Sequence, residues 1–571
     1  MFGKLHAETR TTLRKGQMFM KKSLALILAA ALAAVSLAAC GGGSSASTAA
    51  APAETQAAAA AETQAAAAPA EAAPAATDTS SLPAPAAGPE TLTFIQNLDP
   101  GTWQPSTDDE QGHARTNALI YDSLFRYSKD KVLEGALCET WEWDDDTHLR
   151  LHLRQGVKFS NGTDFTAEDV VWFIKYVHET NLPNSHFFII DPDDIVQEDD
   201  YTVILGTKYP CATLPNHLAS DECGIPSKKA FEEYNGDYLN PDCAVGTGPY
   251  KLVSYDQGDK AVLTANEYSW REGTPVIKDL VIRFMSSYES IATEAKTRTY
   301  DVVVDANTRE FDQIDAMDGV HVVYGQTAKT EYLLLNCKKP PMDDPKVREA
   351  FARAIDVTAC VKLAYGSSGN PAQAFIVPGI AGYNVETYQK YYGAGHDVEA
   401  AKALLAEAGY PNGLDLEISV ISANTQHCDM AEAMQAQVAE AGINLSINKL
   451  ESAPLREYID AGNHHMCINA FTAQTMEADG FLAQVQPGTA TLNRIGYENQ
   501  DFFDTYEKGC GTLDADERAK VWEECCEMLM KDYAMVPLNH KVLGAIVRDD
   551  IEGFWWAPDY EEIYLYELSR K

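Results

Sequence analysis

Hydrophobic residues fall on alternate positions across His148–Leu153, with Leu149, Leu151 and Leu153 on one face, the period of a half-buried strand. Asn161-Gly162 marks the turn that follows. Thr166-Ala-Glu-Asp169 then has the form of a capping box, and Val170, Phe173, Ile174 and Val177 recur behind it at helical spacing. Residues 201–205 read as a further strand. Later, Asp344-Pro345 supplies an N-cap and a first-turn proline to a helix that buries Val347, Phe351, Ala354 and Ile355. Asp397 opens another helix through Leu404 and Leu405, closed by Gly409. A strand at 415–421, a helix at 430–441 and a strand at 443–449 make a βαβ unit, and therefore a parallel sheet. Ligands of open α/β sheets lie beyond the carboxyl ends of the strands, which here predicts the segments after Ile421 and Lys449.

The N-terminal pattern is different. Lys21 and Lys22 precede an apolar run at 24–37 that ends in Leu37-Ala38-Ala39-Cys40-Gly41. A basic start, a short apolar core and small residues at the end are the parts of a secretory signal peptide. The run is shorter than the ~20 residues of a spanning helix. A cysteine directly after the small residues resembles a bacterial lipobox, in which the Cys40 thiol receives a diacylglycerol. Two acyl chains anchor a soluble body stably where one is marginal. Residues 1–17 read as a mis-called start and 18–39 as the signal peptide. Residues 40–90 are an Ala/Pro-rich spacer, repeating AETQAAAA, with little to bury against its ordering entropy.

The rest is too long for a single core and predicts several lobes. A net charge of −39 repels nucleic acid and anionic headgroups. Twelve cysteines include Cys40, so the remaining odd number cannot all pair internally. Cys211 and Cys223, flanking a short loop, form the best candidate disulfide; the others read as buried small hydrophobes. GxSxG, HExxH and GxxxxGK[ST] are missing from the sequence. Gly246-Thr247-Gly248 lacks the third glycine of a dinucleotide fingerprint. The acidic run from Asp191 to Asp200 lacks EF-hand spacing. His464-His465-Met466-Cys467, on a strand, points to alternate faces and reads as packing. No catalytic residue, metal or cofactor is expected.

Four blocks carry a specific resemblance: GALCETWEWDDDTHLRLHLRQGVKFSNGTDFTAEDVVWFIKYV (135–177), AVGTGPYKLVSYDQGDKAVLTANEYSW (244–270), LLLNCKKPPMDDPKVREAFARAIDVTACVKLAYG (333–366) and HDVEAAKALLAEAGYPNG (396–413). In this order they resemble the bacterial extracellular solute-binding proteins of family 5, the oligopeptide- and dipeptide-binding type. The resemblance implies an α/β, periplasmic-binding-protein-like, two-lobed clamp (type II, the large variant with an extra subdomain in lobe one). Lobe one would span 91–329 and lobe two 330–535, with 536–571 returning to lobe one. It further implies a monomeric, non-enzymatic receptor that delivers a small solute to an ABC permease with separate ATPase subunits. The lipobox and spacer point to lipid anchoring on the outer face of a Gram-positive cell membrane.

In the peptide binders of this family a Trp-x-x-Asp segment pairs with the ligand's α-amine. Phe471 stands for that tryptophan and Gln474 for the aspartate; a neutral amide cannot make the charge-assisted bond. Glu477 or Asp479 would substitute by a loop shift, or else serve as loop or capping carboxylates. Asn493, Arg494 and Tyr497 match a cleft-facing segment, with Arg494 a candidate for a ligand carboxylate. Trp103 and Tyr332 are candidate stacking surfaces. The leading expectation is a peptide cargo; an oligosaccharide or metal chelate, and a surface enzyme or chemosensory receptor on the same clamp, are the alternatives.

Overall fold

The computed structural model describes residues 90–571 except 107–110, 185, 307, 394, 474 and 558–562. Cys40, the signal peptide, the spacer and Gln474 lie outside the described residues.

The capping box forms as its residues dictate. Thr166 and Asp169 bond reciprocally at the start of helix Ala167–Thr180, whose buried face carries Val170, Phe173, Ile174 and Val177. The strands are β1 (Thr91–Gln96), β2 (Cys138–Trp143), β3 (His148–Leu153), β4 (Ile190–Gln197) and β5 (Thr202–Thr207), followed by β6 (Tyr250–Asp256), β7 (Lys260–Ala265), β8 (Asp279–Phe284) and β9 (Val302–Val303). The later ones are β10 (Val320–Leu335), β11 (Leu414–Ile421), β12 (Ile443–Leu450), β13 (Met466–Thr472) and β14 (Met535–Arg548). Strands β2, β3, β5 and β4 form a separate four-stranded antiparallel sheet, with Leu149, Leu151 and Leu153 buried.

The other strands make a ten-stranded sheet in the order β12-β11-β13-β10-β14-β9-β1-β8-β7-β6. The predicted βαβ unit is present, with β11 and β12 parallel and in register from Leu414↔Ile443 to Ile421↔Leu450. Its helix begins earlier than the apolar pattern indicates, at Thr425, because Asn424 caps it by accepting from the His427 N–H.

Two strands tie the sheet together. β10 and β14 pair antiparallel from Val320↔Arg548 to Leu334↔Met535. At one end β14 also pairs with β9; at the other, β10 pairs with β13. The two lobes of the clamp are the β1 side and the β13 side of these strands. Their ladder is interrupted between Gln326 and Thr330, where Thr327 Oγ1 donates to the Lys541 carbonyl at 2.9 Å. Separate apolar cores lie under the two halves: Leu92, Phe94 and Leu280 on the β1 side, Val347, Phe351 and Ile418 on the β13 side. Arg570, near the C-terminus, donates to the Thr91 carbonyl and to Asp301, both at 2.8 Å, which fixes the tail to β1.

The expected Cys211–Cys223 disulfide does not form; both are buried free thiols. Each sulfur has its own polar neighbour, Thr213 Oγ1 at 3.6 Å for Cys211 and the His217 carbonyl at 3.5 Å for Cys223. Gly246 and Gly248 also find a structural explanation. A Cβ on either would lie 2.1 or 2.6 Å from the Ile120 carbonyl oxygen, so the Gly-Thr-Gly sequence marks close backbone packing.

Candidate functional site

A cavity of about 530 Å³ opens where the chain leaves β13. The rule of carboxyl ends therefore holds for β13, which runs parallel to β11, rather than for the segments after Ile421 and Lys449. From the β13 side the lining includes Asn469, Phe471, Asp479, Gln484, Thr491 and Arg494; Thr213, His217, Tyr209 and Cys211 close it from the segment that follows β5.

The loop behind β13 is held from both sides. Glu477, on the β13 side, is gripped by Arg518 of helix Ala515–Lys531, and its Oε2 also accepts from Trp522 Nε1 at 2.8 Å. From across the cleft, Tyr127 Oη and Asn216 Nδ2 donate to the Thr475 carbonyl at 2.8 and 3.0 Å. Asp479 receives the densest set of bonds. Its Oδ2 accepts from Thr213 Oγ1 at 2.5 Å and lies 3.6 Å from His217 Nε2. Its Oδ1 accepts from Thr475 Oγ1 and from the Gly480 N–H at 2.7 Å.

These contacts decide the charges. Burial alone would lower the pKa of His217, but Asp479 and Cys211 beside it raise it to about 10. Burial, with the neighbouring His217 cation, brings His186 down to about 3. His217 Nδ1 lies 2.9 Å from Nδ1 of His186, and the opposite shifts of the two rings favour His217 as the donor. Burial would raise the Asp479 carboxyl, but His217 and the two threonine hydroxyls hold it below the ordinary carboxylate range.

Of the residues singled out in the sequence, Phe471, Asp479 and Arg494 line the cavity. Arg494 donates through Nε to Asp460 Oδ1 at 2.6 Å. The others are placed elsewhere. Glu477 is buried and held by Arg518, so it is a loop anchor and not a substitute for a ligand-pairing carboxylate. Trp103 is fully buried, edge-on to Tyr255 at 5.7 Å, with no face for a ligand. Tyr332 is also buried, stacked on Phe481 at 5.0 Å and donating to the Phe375 carbonyl at 2.6 Å. Asn493 is exposed away from the lining, and the buried Tyr497 donates to Asp532 Oδ2 at 2.7 Å. In the His464-His465 pair, His465 Nδ1 accepts the Glu417 N–H at 3.1 Å, a packing role. Among the described residues no group of three His, Cys, Asp or Glu is arranged to hold a metal.

The family pattern for bacterial extracellular solute-binding proteins, family 5 Middle, matches residues 132–493. The chain belongs to this family. It is the substrate-binding component of an ABC importer and not an enzyme, and proteins of the family deliver their ligands to ABC permeases. The family 5 protein described here is 26% identical over 458 residues to the glutathione-binding protein GsiB of Salmonella paratyphi A, covering 77% of this chain and 87% of GsiB. It is likewise 26% identical over 486 residues to heme-binding protein A of Haemophilus influenzae, covering 79% of this chain and 87% of that one. Its fold is similar to that of HbpA2 from Haemophilus parasuis, with a TM-score of 0.74, 24% identity and coverage of 84% and 100% of the two chains. It is also similar to DppA from Helicobacter pylori in complex with peptide STSA, with a TM-score of 0.67, 24% identity and coverage of 84% and 98%. Among the described residues no helix is long and apolar enough to cross a membrane.

Proposed function

We propose that this family 5 protein is a lipid-anchored receptor that captures a peptide or peptide-sized solute in the cavity at the end of β13 and releases it to its importer. The observation that supports this most directly is the cavity itself. Its volume, about 530 Å³, suits a molecule of a few residues. Its walls come from two distant stretches of the chain, 209–217 and 469–494, so closing the clamp would bury the ligand. The relatives named above for glutathione and heme, and the fold neighbour holding a peptide, are in keeping with a small cargo. Cys40 supplies the attachment and the 40–90 spacer the reach.

A second reading, a non-peptide cargo in the same cavity, is favoured by Gln474, a neutral amide where the resemblance leads one to expect an amine-pairing carboxylate.

Mass spectrometry of solute released by denaturing the purified full chain tests the cargo. A set of short peptides supports the leading reading, whereas a sugar or a metal chelate replaces it with the second. Anchoring is tested by Cys40→Ala, which should move the protein from the membrane fraction to the medium and abolish fatty-acid labelling. Retention of either property counts against the lipid anchor.

A further inference from the structure

The charges in the cavity are not balanced in the way a zwitterionic ligand would need. Among the described residues the lining holds one carboxylate, Asp479, and two cationic side chains, His217 and Arg494. An ammonium group buried with a ligand is held best by a carboxylate that balances its charge. Asp479 is already engaged: its Oδ2 accepts from Thr213 and faces His217 at 3.6 Å, and its Oδ1 accepts from Thr475 and the Gly480 N–H. The imidazolium already balances its charge. Glu477, in the same loop, is held by Arg518 away from the lining.

Arg494 is the opposite case. Its side chain is 13% exposed, and its protein partner Asp460, at 44%, is largely in solvent. Only Nε is engaged by that partner; among the described residues the Nη1 and Nη2 groups have no protein acceptor. A planar guanidinium with two free NH₂ groups fits a carboxylate through paired hydrogen bonds. The strongly negative chain does not oppose this, because exposed charges beyond about 8 Å are screened at physiological salt.

We infer that the solute is an acid without a free ammonium group, which presents its carboxylate to Arg494 and meets Asn469, Gln484, Thr491 and Tyr506 through hydroxyl or amide groups. The inference rests on the cavity being the cargo site. An N-blocked short peptide and a hydroxylated sugar acid share this chemistry.

The test uses the full chain and two matched ligand sets, followed by calorimetry. One set contains tripeptides in free, N-acetylated, C-amidated and doubly blocked forms; the other contains aldonic and uronic acids with their neutral parent sugars. The expected result is that binders come from the N-acetylated peptides with a free carboxylate, or from the sugar acids. Each should bind about tenfold or more tighter than its free-amine, amidated or neutral counterpart. Arg494→Gln should weaken that binding by a similar factor. Asp460→Asn, which leaves the guanidinium in place and removes its exposed partner, should preserve or tighten it; a purely structural role for Arg494 would make both variants weaken binding. Free-amine tripeptides binding as tightly as their acetylated forms, indifference to loss of the carboxylate, or no binding by any acid in either set overturns the inference. The first two outcomes leave the receptor reading standing. That reading falls separately if deleting the chain leaves uptake through its importer unchanged for every solute tried.

Discussion

Arg518 holds Glu477 by a bidentate pair, Nε to Oε2 at 2.7 Å and Nη2 to Oε1 at 2.6 Å, with both side chains less than one-tenth exposed. Glu477 sits in the loop between β13 and the cavity-lining Asp479, so this pair sets where the floor of the cavity lies. Removing one member leaves a buried charge without its partner. Glu477→Ala should therefore cost about 3 to 5 kcal/mol of stability, measured by denaturant unfolding. A loss well under ~1 kcal/mol, the size of an exposed pair, would show that solvent reaches the site.

The His217–Asp479 contact predicts an alkaline weakness. A histidine that titrates at 6.5 when unfolded and near 10 when folded stabilises the fold fully below pH 6.5, and the contribution disappears as the pH rises through about 10. Asp479, lowered from 3.8, works in the other direction: its contribution is present above 3.8 and is lost on acidification below it. The melting temperature should fall between pH 6.5 and 10 more steeply in the natural protein than in His217→Gln. Parallel profiles would remove His217 as the titrating group.

Gly246→Ala tests the packing against Ile120. The added methyl would meet backbone, which cannot swing aside as a side chain does. The expected loss is about 1 to 3 kcal/mol or more by thermal or chemical denaturation. A neutral substitution would show that the Ile120 backbone gives way to the added methyl.

Gln474→Asp tests whether the amide at position 474 decides the response to a free amine. A carboxylate there should give the protein affinity for tripeptides with free α-amines, about tenfold above the natural chain in calorimetry. No gain would mean that position 474 does not face the amine end of a ligand.

Local signals in the sequence were legible where the responsible residues are neighbours. The Leu149-Leu151-Leu153 alternation and the Thr166–Asp169 box need only a few consecutive positions, and the β11–β12 unit is contained within the stretch from Leu414 to Leu450. The cavity was only partly legible, because its contacts join distant stretches: Thr213 meets Asp479 across 266 positions of the chain, and His217 meets it nearby. Neither carries a motif, and only the family resemblance drew attention to Phe471, Asp479 and Arg494. Tyr332 and Trp103 show the reverse error. Large aromatics fill cores as readily as they line clefts, and composition does not tell the two apart.

The β10–β14 crossing governs how the clamp can work. Their ladder is irregular at two neighbouring places, Gln326–Thr330 and Glu331–Tyr332, and regular on either side of them, so each half of the sheet is tied to its own half of the ribbon. The ribbon is least tightly laced over this short stretch, where a bend costs the fewest ladder bonds. Thr213 and His217 meet Asp479 at the cavity, so any hinge movement that widened it would part these contacts as well as bend the ribbon.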